Sequence, residues 1–215
     1  MSIADLKELE KERRRDYIVD AAEKLFFAKG YDGVSMSDIA DALKINKATL
    51  YIYFKNKDSL YFAVLRRGLL IMRDELLAPQ KKSRKGKGRL LRMCEAFFRY
   101  CREHPEHYRE LCYARTHRFD MSQVDSAMEQ ATIAREIIGG LNSAIVQGLE
   151  DGTITGGVDP LETAIFVMST CENIASPGPV MEWALSEGMK THDEYMAHSM
   201  ALLARAIAAR PKEMK

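Results

Sequence analysis

Apolar residues recur at helical spacing along nearly the whole chain, and no useful stretch alternates them at the period of two that a strand requires. Ile18, Ala21, Ala22, Leu25 and Phe26 make one such stripe. Leu60, Val64, Leu65, Leu69 and Met72 make another, and Met196, Met200, Leu203 and Ile207 a third. The 6 prolines and 13 glycines cluster between these stretches and punctuate them. The chain is therefore expected to be all-α. At 215 residues it can bury a substantial core in one or two domains, and 47% hydrophobic with 29% charged residues marks a globular, soluble chain.

Local chemistry places the helices. Gly30 is positioned to end the first as a C-terminal cap. Ser35 and Asp38 read as a capping box for a second, Met36–Leu43, and Asn46 caps a third. Asp58 and Ser59 open a fourth that runs to Leu77, with Pro79 as its stop. Leu90, Cys94, Phe97, Phe98 and Cys101 share one face of a fifth, and Pro105 opens a sixth with Leu111 and Cys112 inward. A long seventh is expected from Gln123 to Glu150, with Val124, Ala127, Met128, Ala131, Ala134, Ile138, Leu141, Ile145 and Leu149 inward. Gly139 and Gly140 within it read as a kink or a close helix approach, at about 1 kcal/mol per Gly relative to Ala. Asp159, Pro160 and Glu162 start an eighth that is apolar on more than one side and so must be covered twice. A short helix surrounds Trp183, and Thr191 with Glu194 caps the last.

Net charge is only +1, so bulk electrostatics announces no polyanionic partner. The signal is local. From Lys44 to Lys57 the chain has lysines and no acid, around the stretch N-K-A-T-L-Y-I-Y-F-K-N-K that starts at Asn46. Leu50 and Phe54 share one helix face and can anchor it, while Lys47, Ala48 and Tyr51 fall on another with Thr49 and Tyr53 flanking. Such a helix suits the major groove of duplex DNA. Ala and the Thr methyl can meet thymine methyls, hydroxyls can bond base edges or phosphates, and Lys neutralises phosphate. Tyr53 and Lys57 are expected on the DNA backbone, with Ser35 and Ser37 at a helix N-terminus that could meet a phosphate. A lysine-rich surface helix is the plainer alternative for this stretch taken alone.

A wider pattern surrounds it: A-A-x-x-L-F at Ala21–Phe26, G-Y-D at Gly30–Asp32, I-A at Ile39–Ala40, and A-T-L-Y-x-Y-F-K-N-K-D-S-L from Ala48 to Leu60. From about Tyr17 to Leu65 the chain resembles the helix-turn-helix of TetR-type (tetracycline-repressor family) transcriptional regulators. The resemblance implies a three-helix DNA-binding domain at residues 1–57 and a helical effector-binding and dimerisation body at 58–215. It implies a homodimer on a near-palindromic operator, most often a repressor, released by a small, mostly apolar effector. One departure is Lys44, where the family usually has Gly in the turn; a left-handed backbone there costs Lys about 1 kcal/mol. The dimer is expected through the eighth and last helices, with Tyr195, Leu202 and Ala206 on the second surface of the latter. The effector is expected near Phe97, Tyr100, Tyr108, Leu111, Met121 and Met128, with Cys112, Glu172 and Asn173 as polar contacts.

No apolar run approaches the ~20 residues of a membrane span, and the N-terminus is too charged for a signal peptide. The protein is expected to be cytoplasmic, with its 4 cysteines reduced. No catalytic motif such as H-E-x-x-H, G-x-S-x-G or G-x-G-x-x-G occurs, so neither an enzyme nor a cofactor is expected. Cys101, His104, His107 and Cys112 could be weighed as a metal set, but Pro105 interrupts them and their spacing matches no usual zinc module. The basic run Lys81–Arg89 reads as a solvated connection, with a supplement to DNA binding as the alternative. Two other classes remain open: a DNA-binding protein without an effector, and an enzyme that uses a helix-turn-helix for packing.

Overall fold

The computed structural model describes residues 2–78, 83–117, 119–124 and 127–209. Among them are ten α-helices: α1 (Ile3–Lys29), α2 (Met36–Leu43), α3 (Lys47–Tyr53), α4 (Lys57–Leu77), α5 (Gly86–Glu103), α6 (Pro105–Thr116), α7 (Ala127–Glu150), α8 (Pro160–Ala175), α9 (Pro179–Glu187) and α10 (His192–Ala206). No strand occurs among the described residues, and an isolated antiparallel bridge pairs Ile154 with Ala208. The all-α expectation holds. Pro79, Lys81 and Lys82 lie outside the described residues.

Packing divides the chain into two units, Met1–Leu70 with His104–Thr132, and Ile71–Glu103 with Ile133–Lys215. α4 starts at Lys57 and runs unbroken through the limit between the units at Leu70 and Ile71. The first unit is built on Ile18, Val19, Ala22 and Phe26 of α1, Met36, Ile39, Ala40 and Leu43 of α2, Leu50 of α3, and Phe54. Every residue of α4 from Leu60 to Leu65 joins that core. At about 1.5–3 kcal/mol per large side chain buried, those turns are fixed to the unit. Tyr61, outside the expected stripe, is fully buried, and its hydroxyl donates to the backbone and side-chain oxygens of Glu110, each at 3.1 Å.

The caps behave as their chemistry requires. Ser35 and Asp38 close a reciprocal box on α2, and Gly30 ends α1 at φ +69°. Lys44 is left-handed, at φ 54° and ψ 40°, and its N–H bonds back to carbonyls of α2. The charged stretch ahead of Ile18 is a regular part of α1, started by a Ser2–Asp5 capping box.

In the second unit α5 begins inside the basic run, at Gly86, so the expected loose connection is helical from there on. Its first amides are capped from a distance: Gly86 N–H donates to Asp151 Oδ2 at 2.8 Å and Lys87 N–H to Thr153 Oγ1 at 3.2 Å. A Cβ on Gly86 would lie 2.0 Å from the backbone nitrogen of Gly148, so the two helices meet backbone to backbone. α7 starts four residues later than expected because Asp120 caps a short 3-10 turn, Met121–Gln123. Leu141 and Ile145 are buried as expected, but in the first half of the helix the buried face is Ile133 and Ile137, one residue round, while Ala131 and Ala134 are exposed and Ile138 is half-buried. Isoleucine in place of alanine puts more apolar area inside, which decides the rotation. α7 runs unbroken through Gly139, where a methyl group would meet nothing within 4 Å.

α8 buries Ala164, Val167, Met168, Cys171 and Ile174 and exposes Leu161, Ile165 and Phe166. α10 buries Met196 and Leu203 and exposes Leu202 and Ala206, with Tyr195 half-buried. α9 buries none of its residues and leaves Val180, Met181 and Trp183 in the open.

Candidate nucleic-acid interface

α3 is a seven-residue helix, too short to persist alone. Leu50 and Phe54, both with no exposed surface, hold it, and Asn46 accepts from the Ala48 N–H at 2.9 Å. Those anchors turn Lys47, Ala48 and Tyr51 outward, and leave Thr49 and Tyr53 half-buried. Ser35, Lys47, Tyr51 and Lys57 line one open crevice of about 470 Å³ with Asp32 and Asp38.

The polar groups of this face are not equally free. Lys57 donates to the carbonyls of Tyr31 at 2.8 Å and Val34 at 2.9 Å, and its ammonium lies 3.8 Å from the Tyr31 ring centroid. Expected on the DNA backbone, it holds the turn before α2. Ser35 is tied to Asp38, donating to Oδ2 from its amide at 2.7 Å and its hydroxyl at 2.6 Å. The Ser35 contacts hold the Asp38 carboxyl below its usual range, so an anion already stands at this helix start. Ser37 is exposed. Tyr53 hydrogen-bonds with Arg14, and Arg15 lies 4.5 Å over the Phe54 ring. Ile52 was absent from the expected set, yet it is 74% exposed on α3. The signal was available: it stands two positions from each buried anchor, on the far side of the helix.

Of the nine residues expected around an effector, Leu111 and Met121 line one crevice of about 540 Å³, with Phe62, Leu65, Ala114, Phe119, Arg115, His117 and Gln130. Tyr108 is buried, Cys112 half-buried and Met128 77% exposed in the same packing unit. Phe97 and Tyr100 are core of the second unit, which also holds half-buried Glu172 and exposed Asn173. For Tyr108, Phe97 and Tyr100 the reason is burial in core, which pattern alone does not separate from burial at a cavity wall; Met128 and Asn173 face outward instead.

An aromatic cluster joins that crevice to the turn before α2. Phe119 packs on Phe62 at 5.0 Å, on His117 at 4.6 Å and on Tyr31 at 5.2 Å between ring centroids. Tyr31 donates to Asp58, and Tyr113 donates to Asp32 at 2.8 Å while lying 3.1 Å from His117 Nδ1. Burial, then the Asp32 carboxylate, push the Tyr113 hydroxyl up to about 12; burial and Asp58 push Tyr31 up further. Both phenols therefore stay protonated donors at neutral pH.

A short helix held from behind by buried apolar anchors, preceded by a capped helix and a left-handed turn, is a helix-turn-helix. Residues 18–64 match the family described as bacterial regulatory proteins, tetR family. The biofilm operon icaADBC HTH-type negative transcriptional regulator IcaR of Staphylococcus aureus is 49% identical over 47 residues, 22% of this chain and 25% of that protein. The IcaR of Staphylococcus epidermidis is 45% identical over the same length. The chain thus spans about a quarter of the length of these curated relatives. A tetR-family regulatory protein from Rhodococcus RHA1 superposes with a TM-score of 0.68 at 18% identity, covering 92% of this chain and 98% of that one. AibR in complex with isovaleryl coenzyme A and operator DNA gives 0.62 at 21% identity, covering 88% and 97%. Residues 18–64 thus carry that family's N-terminal domain, and the chain shares the fold of these solved structures. No helix among the described residues is long and apolar enough to cross a membrane.

Proposed function

We propose that this protein is a homodimeric transcriptional regulator, a repressor, that binds a palindromic operator and is released by a small, mostly apolar effector. Its place of action is the cytoplasm, with residues 1–57 reading DNA and 58–215 carrying the dimer and effector surfaces. The observation that carries the reading is the outward set Lys47, Ala48 and Tyr51, with half-buried Thr49 beside it, projected from two fully buried anchors in an acid-free segment. The relatives named as negative regulators support the sign, and they are similar over this same segment. Ser37 and Tyr53 touch phosphates in this reading, and Lys57 is a positioning residue for the turn before α2.

The dimer forms through α8 and α10. Leu161, Ile165, Phe166 and Leu202 are large apolar side chains at 50–60% exposure, and covering them needs a second copy of the same face. For such a two-fold dimer the operator half-sites are expected one turn of duplex apart, roughly 34–36 Å, or a multiple of it. The effector occupies the crevice beside Phe119, and the aromatic cluster carries its effect to the turn before α2, so that the α3 helices no longer fit successive grooves. Coupling of this kind is typically about 1–3 kcal/mol and reciprocal between the two ligands.

The test is selection from a randomised duplex pool, followed by titration of the enriched duplex. Tyr51→Ala should lose operator preference with the fold intact; unchanged affinity and preference would sink the assignment. Hydrophobic compounds that stabilise the protein against heat should weaken the operator complex. If every such compound leaves it untouched, the effector-free DNA-binding protein is the better reading.

A further inference from the structure

We propose that Ile52, with Ala48 one turn before it, reads the 5-methyl group of thymine in each half-site; this rests on the DNA-reading role of α3 given above. Ile52 keeps 74% of its surface exposed in a helix of seven residues, and a β-branched side chain weakens so short a helix while gaining no burial here. Ala48 and Ile52 are four apart and adjoin on one face, opposite the buried Leu50 and Phe54. They form an apolar strip, with exposed Lys47 before it and exposed Lys55 after it. Lysines on both sides of the strip fit a polyanion better than a protein or lipid surface of mixed charge. Within the major groove the thymine methyl is the apolar feature that side chains without hydrogen-bonding groups can recognise. An isoleucine at this place makes no polar contact. It selects a base pair by its methyl group alone.

The experiment uses the full chain, wild type and Ile52→Ser, with a randomised duplex pool and then the enriched duplex carrying dT or dU at single positions. The wild-type selection should hold a fixed thymine that the Ile52→Ser selection lacks. At that position dU in place of dT, which deletes only the methyl, should weaken the wild-type complex about fourfold, the usual effect of burying one such group. The same change should leave Ile52→Ser binding unaltered, and Ile52→Val should keep most of the difference. Equal losses in wild type and Ile52→Ser would place the methyl contact elsewhere and overturn the assignment, as would the same selected sequence from both. A wild-type chain that enriches no sequence at all overturns the DNA-reading role itself, a distinct failure. An unchanged melting temperature for each variant confirms that the core anchored by Leu50 and Phe54 is intact.

Discussion

Replacing Lys44 by glycine should make the protein more stable. Lys44 sits exposed at the end of α2 with φ 54° and ψ 40°, a conformation that its Cβ resists. The left-handed region costs a residue with a side chain about 1–2 kcal/mol. Glycine escapes that cost but adds freedom to the unfolded chain, giving back roughly 0.5–1 kcal/mol. The balance is a gain of about 0.5–1 kcal/mol, since the N–H that closes onto Ala40 and Asp41 is unchanged. For a chain of this size that raises the melting temperature by roughly 1–4 °C. Thermal melting followed by far-ultraviolet circular dichroism reads the shift, and urea unfolding should show a higher midpoint with the same slope. Lys44→Ala separates backbone from charge: it removes the ammonium, keeps the strained conformation and should give no gain. If Lys44→Gly melts at or below the wild type, the backbone argument fails. The same variant should flatten the salt dependence of operator binding by about one unit if the ammonium faces phosphate.

Gly86→Ala should cost about 1–3 kcal/mol or more and lower the urea midpoint, because the added carbon meets backbone of Gly148 and Ala144, which cannot rotate away. Burial lowers the pKa of His107 from its ordinary 6.5, so the unfolded chain binds the proton more readily. Its contribution to stability is complete above about 6.5 and is lost as the pH falls through the depressed value; urea midpoints from pH 7.5 down to about 5 should fall less in His107→Gln than in wild type. Tyr113→Phe keeps the ring and deletes the hydrogen bond to Asp32, so it should cost about 1 kcal/mol and, in the proposed mechanism, shrink the effect of an effector on operator affinity. An unchanged effect would show that the message takes another route.

What was legible in the sequence is what neighbouring residues settle among themselves. Ser35 with Asp38, Asn46 with Ala48, Asp159 with Glu162 and Thr191 with Glu194 all bond within two or three positions, so their spacing announces the helix starts. The strain at Lys44 was legible for the same reason. Lys57 was not, because its partners Tyr31 and Val34 lie 26 and 23 positions away, and a lysine beside a recognition helix looks alike with or without them. The start of α5 was hidden because its caps, Asp151 and Thr153, come 65 and 66 positions later. α7 shows a third kind of miss: Ala134 and Ile133 both fit helical spacing, and only the facing surface decides between adjacent stripes.

The aromatic cluster has a consequence for anyone who would move the DNA-reading head to another protein. Tyr31 and Tyr61 find Tyr113 and Phe119 as neighbours, and Tyr61 finds Glu110 as its acceptor, from a segment some fifty to ninety positions downstream. The head is therefore not a detachable cassette. A graft that ends at Lys57 takes Tyr31 without Tyr113 and Phe119, and leaves Tyr61 behind. Recombination between relatives meets the same constraint: exchanges that keep α1 to α4 together with α6 keep these contacts, and exchanges that cut between them break them.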